Sequence, residues 1–302
     1  MAAPFDELVL AGPPLDRAAD LRFEAGVIPR LLGEPGTRVL DVHEMRVPTV
    51  GGPEIALALR HPEASDEERD LVLLGRLGGG HVLAALQHGE GGTPLRAVAD
   101  LLPPDQASLA ATAVALDNWH RTHPRCPRCG GPTEIAQAGW VRRCPADESW
   151  HHPRTDPAVI MAVTDPDDRL LLARNAGWPT GRMSVLAGFV EPGETLAAAV
   201  AREVHEEVGL EVSDVRYRAD QPWPFPASLM VGFTARAASA RLAPDGVEIV
   251  EARWFTRDEL AAAFETGELY RPRAVSISAR LVEEWYGGEL CERSDPAAVG
   301  GR

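Results

Sequence analysis

Hydrophobic and polar residues follow two different patterns along this chain, which becomes mixed α and β near residue 156. Before that point, Gly and Pro separate short apolar runs, which predicts strands at 39–42, 55–59, 71–74 and 81–86. One helix is predicted over 105–120, where apolar residues recur on one side. We therefore expect a β-rich N-terminal accessory domain over 1–122, which carries no catalytic signature of its own.

From residue 156 onward, strands and helices are mixed. Strands are predicted at 159–163, 170–173, 212–217, 229–235 and 247–255, and helices at 195–208, 256–264 and 275–286. Residues 183–186 run into a Gly-rich loop. In the first of these helices, apolar residues spaced by four form one stripe from Leu196 to Val208, and Gly209 follows where a helix stop is expected. Residues 287–302 are rich in Gly, and we expect them to form a frayed tail.

Composition excludes several classes of function. The chain has 302 residues, and its 30 basic and 45 acidic side chains give a net charge of −15. Every basic residue is Arg, so Schiff-base chemistry, pyridoxal-phosphate enzymes and a Walker-type phosphate loop are excluded. The negative charge disfavours sequence-independent binding of nucleic acid or of an anionic membrane. With no secretory signal and no apolar run that could span a bilayer, we expect a cytoplasmic protein.

One predicted helix has an unusually acidic end. Glu203 and Glu207 are four residues apart on one face, and Glu206 lies beside them. These carboxylates repel one another, and the helix dipole disfavours negative charge at this end. A divalent cation such as Mg²⁺ or Mn²⁺ would relieve both costs, and Arg202 can hold a carboxylate through a forked ion pair. Alone, such a run more often marks an exposed acidic face.

The spacing of the surrounding residues is far more specific. The segment Gly188-x5-Glu194-x7-Arg202-Glu203-Val204-x-Glu206-Glu207-x-Gly209-Leu210 resembles the Nudix box at every defined position. This resemblance implies an α/β fold, a Nudix α/β/α sandwich with a β-rich N-terminal domain and a small zinc-ribbon-like insert. It also implies hydrolysis of a nucleoside diphosphate linked to another moiety. Glu203 and Glu207 then correspond to the main metal ligands and Glu206 to a ligand or base, whereas Glu194 and Arg202 organise the loop and helix.

A second motif follows the box and alternates proline with aromatic residues. It consists of Gln221, Pro222, Trp223, Pro224, Phe225, Pro226, Ala227 and Ser228. Proline predicts a stiff, extended segment that cannot be an interior strand, and its rings could stack a flat ligand or simply pack as a surface loop. The full string resembles the array of the NADH pyrophosphatase subfamily of Nudix hydrolases, although Asp220 and Ala227 depart from the usual Ser and Gln.

The subfamily resemblance implies further site residues. For the metal these are the Ala187 carbonyl and Glu248, with Glu251 as a close rival, and either Glu206 or Glu248 is the general base. For the substrate they are Phe189 against the nicotinamide, Ala279, Arg96 in the N-terminal domain, and His152, which stands where the subfamily often has Tyr.

Three of the four cysteines cluster in a segment too short to form its own core. Cys126, Cys129 and Cys144 have zinc-ribbon spacing, but Asp147 takes the place of the fourth cysteine. Three hypotheses remain open: Asp147, His151 or His152 completes a zinc site, the metal binds weakly, or the ribbon keeps its fold without metal.

The resemblance as a whole implies metal-dependent hydrolysis of the pyrophosphate of NAD⁺ or NADH to AMP and NMN or NMNH, and it extends to removal of NAD caps from RNA 5′ ends. It also implies a homodimer. The domains are predicted as 1–122 (accessory), 123–154 (ribbon), 155–286 (Nudix) and 287–302 (tail). The alternatives are a Nudix hydrolase for ADP-ribose or coenzyme A, a non-catalytic Nudix ligand sensor, and a zinc-ribbon interaction module.

Overall fold

The computed structural model describes residues 5, 8–51, 55–87 and 91–290, and the chain divides into two compact units. The N-terminal unit contains Leu10–Thr155 and the short segment Pro222–Ala227. The C-terminal unit contains Asp156–Gln221 and Ser228–Arg293, together with residues up to Val9. From residue 291 on, the predicted tail lies outside the described residues.

Small sheets dominate the N-terminal unit. Its strands are β1 (Arg38–Val42), β2 (Arg46–Val47), β3 (Thr49–Val50), β4 (Ala56–Leu57), β5 (Leu71–Leu77), β6 (Gly80–Leu86), β7 (Thr93–Pro94), β8 (Glu134–Ala136), β9 (Val141–Arg143) and β10 (Trp150–His151). Its α-helices are α1 (Val27–Leu32), α2 (Leu95–Val98) and α3 (Pro104–Thr122). The expected β-rich character is confirmed. The predicted strand 55–59 is wrong in length, because beyond β4 only an isolated bridge between Arg60 and Val39 forms.

Helix α3 and the small sheet β8–β9–β10 are joined through a buried histidine. His120 lies on α3, and its Nε2 donates to the carbonyl of Gly139 over 2.8 Å. Its Nδ1 accepts from Nη1 of Arg142, on β9, over 2.9 Å. Burial lowers the pKa of His120 to about 4, so this ring is neutral at pH 7 and its two nitrogens play these different roles. These bonds fix the C-terminal part of α3.

The C-terminal unit is built on a six-stranded sheet. Its strands are β11 (Asp156–Thr164), β12 (Leu170–Asn175), β13 (Leu186–Phe189), β14 (Val212–Trp223), β15 (Ser228–Ala237) and β16 (Ile249–Phe255). Its helices are α4 (Leu196–Val208), α5 (Arg257–Glu265) and α6 (Ile277–Tyr286). The strand order is β14-β15-β11-β12-β16, and β13 pairs with β11. In the central pair, β11 runs parallel to β15.

Alternate side chains of β11 pack into two different cores, as the period of a strand requires. On one face, Val159, Met161 and Val163 belong to the cluster that includes the apolar stripe of α4. On the other face, Ile160 and Ala162 belong to the cluster that includes α5 and α6 residues such as Leu260 and Leu281. The predicted α/β/α sandwich is thereby confirmed. None of the described helices is long and apolar enough to cross a membrane.

The stretch predicted as a Gly-rich loop after Leu186 is a strand in the structure. Strand β13 begins at Leu186 and continues through the Gly-containing stretch to Phe189, where Ala187 lies opposite Ile160 of β11. Ser184 makes only an isolated bridge with Ala173. A glycine inside a strand weakens the local preference, but the register with β11 extends the ladder across Gly188.

Candidate active site and metal centre

Helix α4 places the acidic residues of the box in its last two turns. The hydroxyl of Thr195 caps the first turn by accepting from the backbone N–H of Ala198 over 3.2 Å. At the other end Gly209 adopts a left-handed conformation, with φ of +70°, and closes the helix by donating to the carbonyl of His205. The expected helix stop at Gly209 is confirmed. Because Glu203 and Glu207 are four residues apart on this helix, they lie on the same side of it.

Strand β13 passes directly against Glu203. A Cβ atom added to Gly188 would lie 2.0 Å from Cδ of Glu203, so any other residue would displace this carboxylate. Burial raises the pKa of Glu203, although Arg202 opposes this by a hydrogen bond to the carboxylate. The glycine of the box therefore makes room for a carboxylate held in a partly desolvated place.

Glu207 is the most strongly perturbed carboxylate of the cluster. Its residue surface is 7% exposed, and its Oε2 has no hydrogen-bond partner within the described part of the chain. Burial, followed by repulsion from Glu203 and Glu248, raises the pKa of Glu207 to about 8. A buried carboxylate oxygen without a partner, among other carboxylates, is the arrangement that a divalent cation would stabilise.

Arg202 ties the loop of the box to the helix. Its guanidinium forms a forked pair with Glu194, at 2.7 and 3.1 Å, and also donates to Glu203 and Glu206 at 2.9 and 3.0 Å. A further bond from Nη2 reaches the carbonyl of Phe189, at the end of β13, over 2.9 Å. The planar guanidinium of Arg202 thus connects β13, the loop and α4, and its hydrogen bonds named here do not involve Glu207.

Two acidic residues before and within β16 differ in their environment. Glu251 is paired with Arg174 across the sheet at 3.1 Å. Glu248 is exposed, and its charge contributes to the raised pKa values of both Glu203 and Glu207. Asp245, which the sequence analysis did not single out, accepts from the backbone N–H groups of residues 247, 248 and 249 and so shapes the turn that carries Glu248.

Phe189 and Ala187 are both exposed on β13, and the Phe189 residue surface is 60% exposed. By contrast Gln221 is fully buried: its amide nitrogen donates to the carbonyls of Val9 and Val275, and its oxygen accepts from Ile277 N–H. These backbone groups, distant in sequence, bond to both the nitrogen and the oxygen of the Gln221 amide. Ala279 lies in the first turn of α6 with no exposed surface.

The proline-aromatic segment is not extended throughout, so the prediction of a stiff extended segment is only partly right. Edge strand β14 runs to Trp223, residues 224–227 form a turn, and β15 begins at Ser228. Inside the N-terminal unit, the rings of Trp223 and Phe225 meet edge to face at 5.0 Å between centroids. Arg96, on α2, places its guanidinium carbon 5.2 Å from the Trp223 ring centroid. His152 is exposed after β10.

The ribbon brings four candidate metal ligands together. One ligand atom from each of Cys126, Cys129, Cys144 and Asp147 lies within 4.8 Å of all the others. The Sγ atoms of Cys129 and Cys144 are 3.5 Å apart, and Cys126 Sγ is 3.4 Å from Oδ2 of Asp147. In a tetrahedral zinc site with bonds of about 2.0–2.3 Å, ligand atoms are roughly 3.5–3.8 Å apart, so these residues suit zinc.

Asp147 is oriented by its neighbours. Its Oδ1 accepts from the backbone N–H and the hydroxyl of Ser149, and that hydroxyl also contacts Nε2 of His151 at 2.9 Å. The other carboxylate oxygen faces Cys126. Burial opposes ionisation of Cys126, but hydrogen bonds from Ser149 and from backbone N–H groups lower the pKa of this thiol to about 6. Of the three candidate fourth ligands, Asp147 is the one with a ligand atom within 4.8 Å of all three thiols, whereas His151 approaches Cys126.

Comparison with known proteins gives matches over both units. Residues 154–274 match the NUDIX domain model, and residues 121–151 match the NADH pyrophosphatase zinc ribbon domain. Proteins named NAD-capped RNA hydrolase NudC from Mycobacterium bovis and Mycobacterium tuberculosis are each 39% identical over 289 residues, which is 89% of this chain and 92% of theirs. Human NAD-capped RNA hydrolase NUDT12 is 41% identical over 192 residues, 60% of this chain and 42% of that protein.

Proposed function

Because this chain belongs to the NADH pyrophosphatase subfamily of Nudix hydrolases, we propose that it hydrolyses the pyrophosphate of NAD⁺ and NADH to AMP and NMN or NMNH. The same bond occurs at the 5′ end of NAD-capped RNA, so removal of that cap is part of the proposal, in line with the names of these relatives. The observation that carries it is the buried carboxylate of Glu207, whose Oε2 has no hydrogen-bond partner among the described residues.

The proposed cofactor of this cluster is Mg²⁺ or Mn²⁺. Carboxylates and a backbone carbonyl are the hard oxygen ligands that such cations prefer, and we assign Glu203, Glu207, Glu248 and the backbone carbonyl of the exposed residue Ala187 to them, with Glu206 as a further ligand or base. When bound, such a cation polarises phosphoryl oxygens and lowers the pKa of water. Glu251 is the weaker candidate because Arg174 already pairs with it.

Protein groups have distinct proposed roles in the reaction. Glu206 and Glu248 are the two exposed carboxylates of the cluster, and one of them accepts the proton of the attacking water. Arg202 and Glu194 hold the loop and helix in place. Attack occurs at phosphorus, so a P–O bond of the pyrophosphate breaks and the glycosidic bond to nicotinamide stays intact.

Substrate contacts are proposed for the exposed ring of Phe189, for the segment Gln221–Ser228, and for Arg96 and His152. The resemblance adds Ala279, which is the weakest candidate because this residue has no exposed surface. Flat rings stack well on aromatic side chains, and the paired rings of Trp223 and Phe225 offer such a surface. For Gln221 the supported role is to anchor the segment, since its amide is bonded to backbone groups.

Chromatography of the products after incubation with Mg²⁺ or Mn²⁺ tests the reaction. We expect AMP plus NMNH from NADH, and AMP plus NMN from NAD⁺. Free nicotinamide with ADP-ribose would contradict the mechanism. ADP-ribose and coenzyme A serve as competing substrates: equal turnover of NADH and ADP-ribose would keep the diphosphate chemistry but remove nicotinamide recognition, and no turnover of any of them would favour a ligand sensor.

The proposed assembly is a homodimer of chains that act in the cytoplasm, with the predicted domain division 1–122, 123–154, 155–286 and 287–302. Its support is the large accessory region, which has no chemistry of its own. Light scattering at working concentration is expected to give a particle of twice the 32.5 kDa chain mass. A fully active 32.5 kDa particle would contradict the dimer.

A further inference from the structure

Asn118 lies on α3, far in sequence from the proline-aromatic segment, yet bonds to it directly. The residue is only 3% exposed. Its Nδ2 donates to the carbonyl of Pro224 and to the carbonyl of Pro226, each over 3.0 Å. Both N–H bonds of one amide group are therefore used on the two carbonyls that flank Phe225.

The segment needs such a partner because of its composition. Pro222, Pro224 and Pro226 have no backbone N–H, so this stretch cannot be held by an ordinary ladder of strand hydrogen bonds. Within the turn, the backbone N–H of Phe225 donates to the carbonyl of Trp223 over 2.7 Å. The buried Asn118 amide supplies a donor for the carbonyl of the buried Pro224, which would otherwise lose its hydrogen bonds to water, and a second donor for the carbonyl of Pro226.

The donor itself is held rigidly. Asn118 is two residues before His120, whose bonds to Gly139 and Arg142 fix this end of α3. Arg121 reaches the amide oxygen of Asn118 at 3.4 Å, which orients the amide so that its nitrogen faces the segment. Bonds to the residues on both sides of Phe225 then determine how this ring meets the Trp223 ring.

We propose that Asn118 is a positioning residue for substrate recognition, which acts by holding the Trp223 and Phe225 rings in their edge-to-face arrangement. This inference rests on the proposed function, in which the segment receives the dinucleotide. The metal ligands of the pyrophosphate site belong to the other unit and are not bonded to Asn118. Loss of the two hydrogen bonds from Asn118 should therefore weaken substrate binding while the chemical step is retained.

Replacing Asn118 by Asp keeps the side-chain shape but removes both donors and directs an oxygen at two carbonyls. We expect the KM for NADH to rise about 10-fold, with kcat within about twofold of wild type, since a loss of about 1.4 kcal/mol corresponds to a factor of ten. Asn118→Ala is the milder second variant and should show the same split. Hydrogen exchange of the peptide over 221–228 should become faster in both.

The matched control is Gln106→Glu, the same change from amide to carboxylate on the same helix. The Gln106 oxygen accepts from the backbone N–H of Leu57, and a carboxylate can keep that bond. We expect its KM for NADH and its hydrogen exchange over 221–228 to be unchanged. Zinc content and thermal unfolding of all variants show whether the N-terminal unit has folded.

A double-mutant cycle with Trp223→Ala distinguishes positioning from general damage. If Asn118 acts through the rings, adding Asn118→Ala to Trp223→Ala should raise KM by less than twofold more. Fully additive effects, or an unchanged KM in folded Asn118→Ala with faster exchange of the segment, would overturn the proposal. Failure of the proposed function would show differently, because wild type itself would then not cleave NADH.

Discussion

Replacing Glu207 by Gln is expected to lower kcat for NADH hydrolysis by about 10²–10³, the usual cost of removing one electrostatic element of a catalytic site. The change keeps the side-chain shape but removes one charge from the group of carboxylates around a proposed cation. Glu211→Gln is the matched control, because Glu211 lies just past α4, is exposed, and forms an ion pair with His205. Near-normal activity of Glu207→Gln at limiting Mg²⁺ would make the acidic cluster a structural feature of the helix.

Stability provides an independent measurement on the same variant. The pKa of Glu207 is raised from 4.5 to about 8, mainly by burial. The folded, metal-free protein then binds this proton more tightly than the unfolded chain, so its unfolding free energy falls as pH rises from about 4.5 to about 8. The Glu207→Gln variant has no titratable group at this position, so its unfolding free energy does not fall in this way. In EDTA, the stability of the variant relative to wild type should therefore increase across that window, and a difference that does not change with pH would contradict the burial of an unpaired carboxylate.

Local patterns predicted the catalytic helix well. The four-residue spacing of apolar positions, a capping threonine and a terminal glycine act within one or two turns, so α4 and the clustering of Glu203 with Glu207 follow from sequence alone. The local pattern predicted a Gly-rich loop where β13 lies, because the pairing with β11 overrides the weak strand preference around Gly188.

Long-range bonds account for what sequence patterns missed. Nothing near Gln221 in sequence indicates that its amide is bonded to Val275 and Ile277, and nothing near Asn118 indicates that it bonds to Pro224 and Pro226. The only local sign is a pair of polar residues, Asp117 and Asn118, on the apolar side of a helix. Polar residues in such positions usually have a partner, but the pattern does not identify it.

Zinc binding to the ribbon is expected to produce the second large effect. We expect purified protein to carry one zinc per chain, held by Cys126, Cys129, Cys144 and Asp147. Metal binding is coupled to folding, and a ligand present at 1,000 times its Kd stabilises by about 4 kcal/mol. For a unit of this size that corresponds to roughly 8–16 °C. Cys126→Ser should therefore lose its zinc and show a thermal unfolding midpoint lower by about this amount.

Asp147 allows the ligand set itself to be tested. A thiolate is a softer ligand than a carboxylate, so Asp147→Cys should retain zinc against a chelator at higher concentrations than wild type, whereas Asp147→Ala should release it more readily. Glu148→Ala is the matched control, since the neighbouring carboxylate is exposed and pairs with Arg143 instead. Zinc-free protein from a zinc-replete preparation, together with a Cys126→Ser variant as stable as wild type, would show that hydrogen bonds such as those of Ser149 hold the ribbon without metal. Release of zinc by Glu148→Ala as readily as by Asp147→Ala would remove the carboxylate of Asp147 from the site.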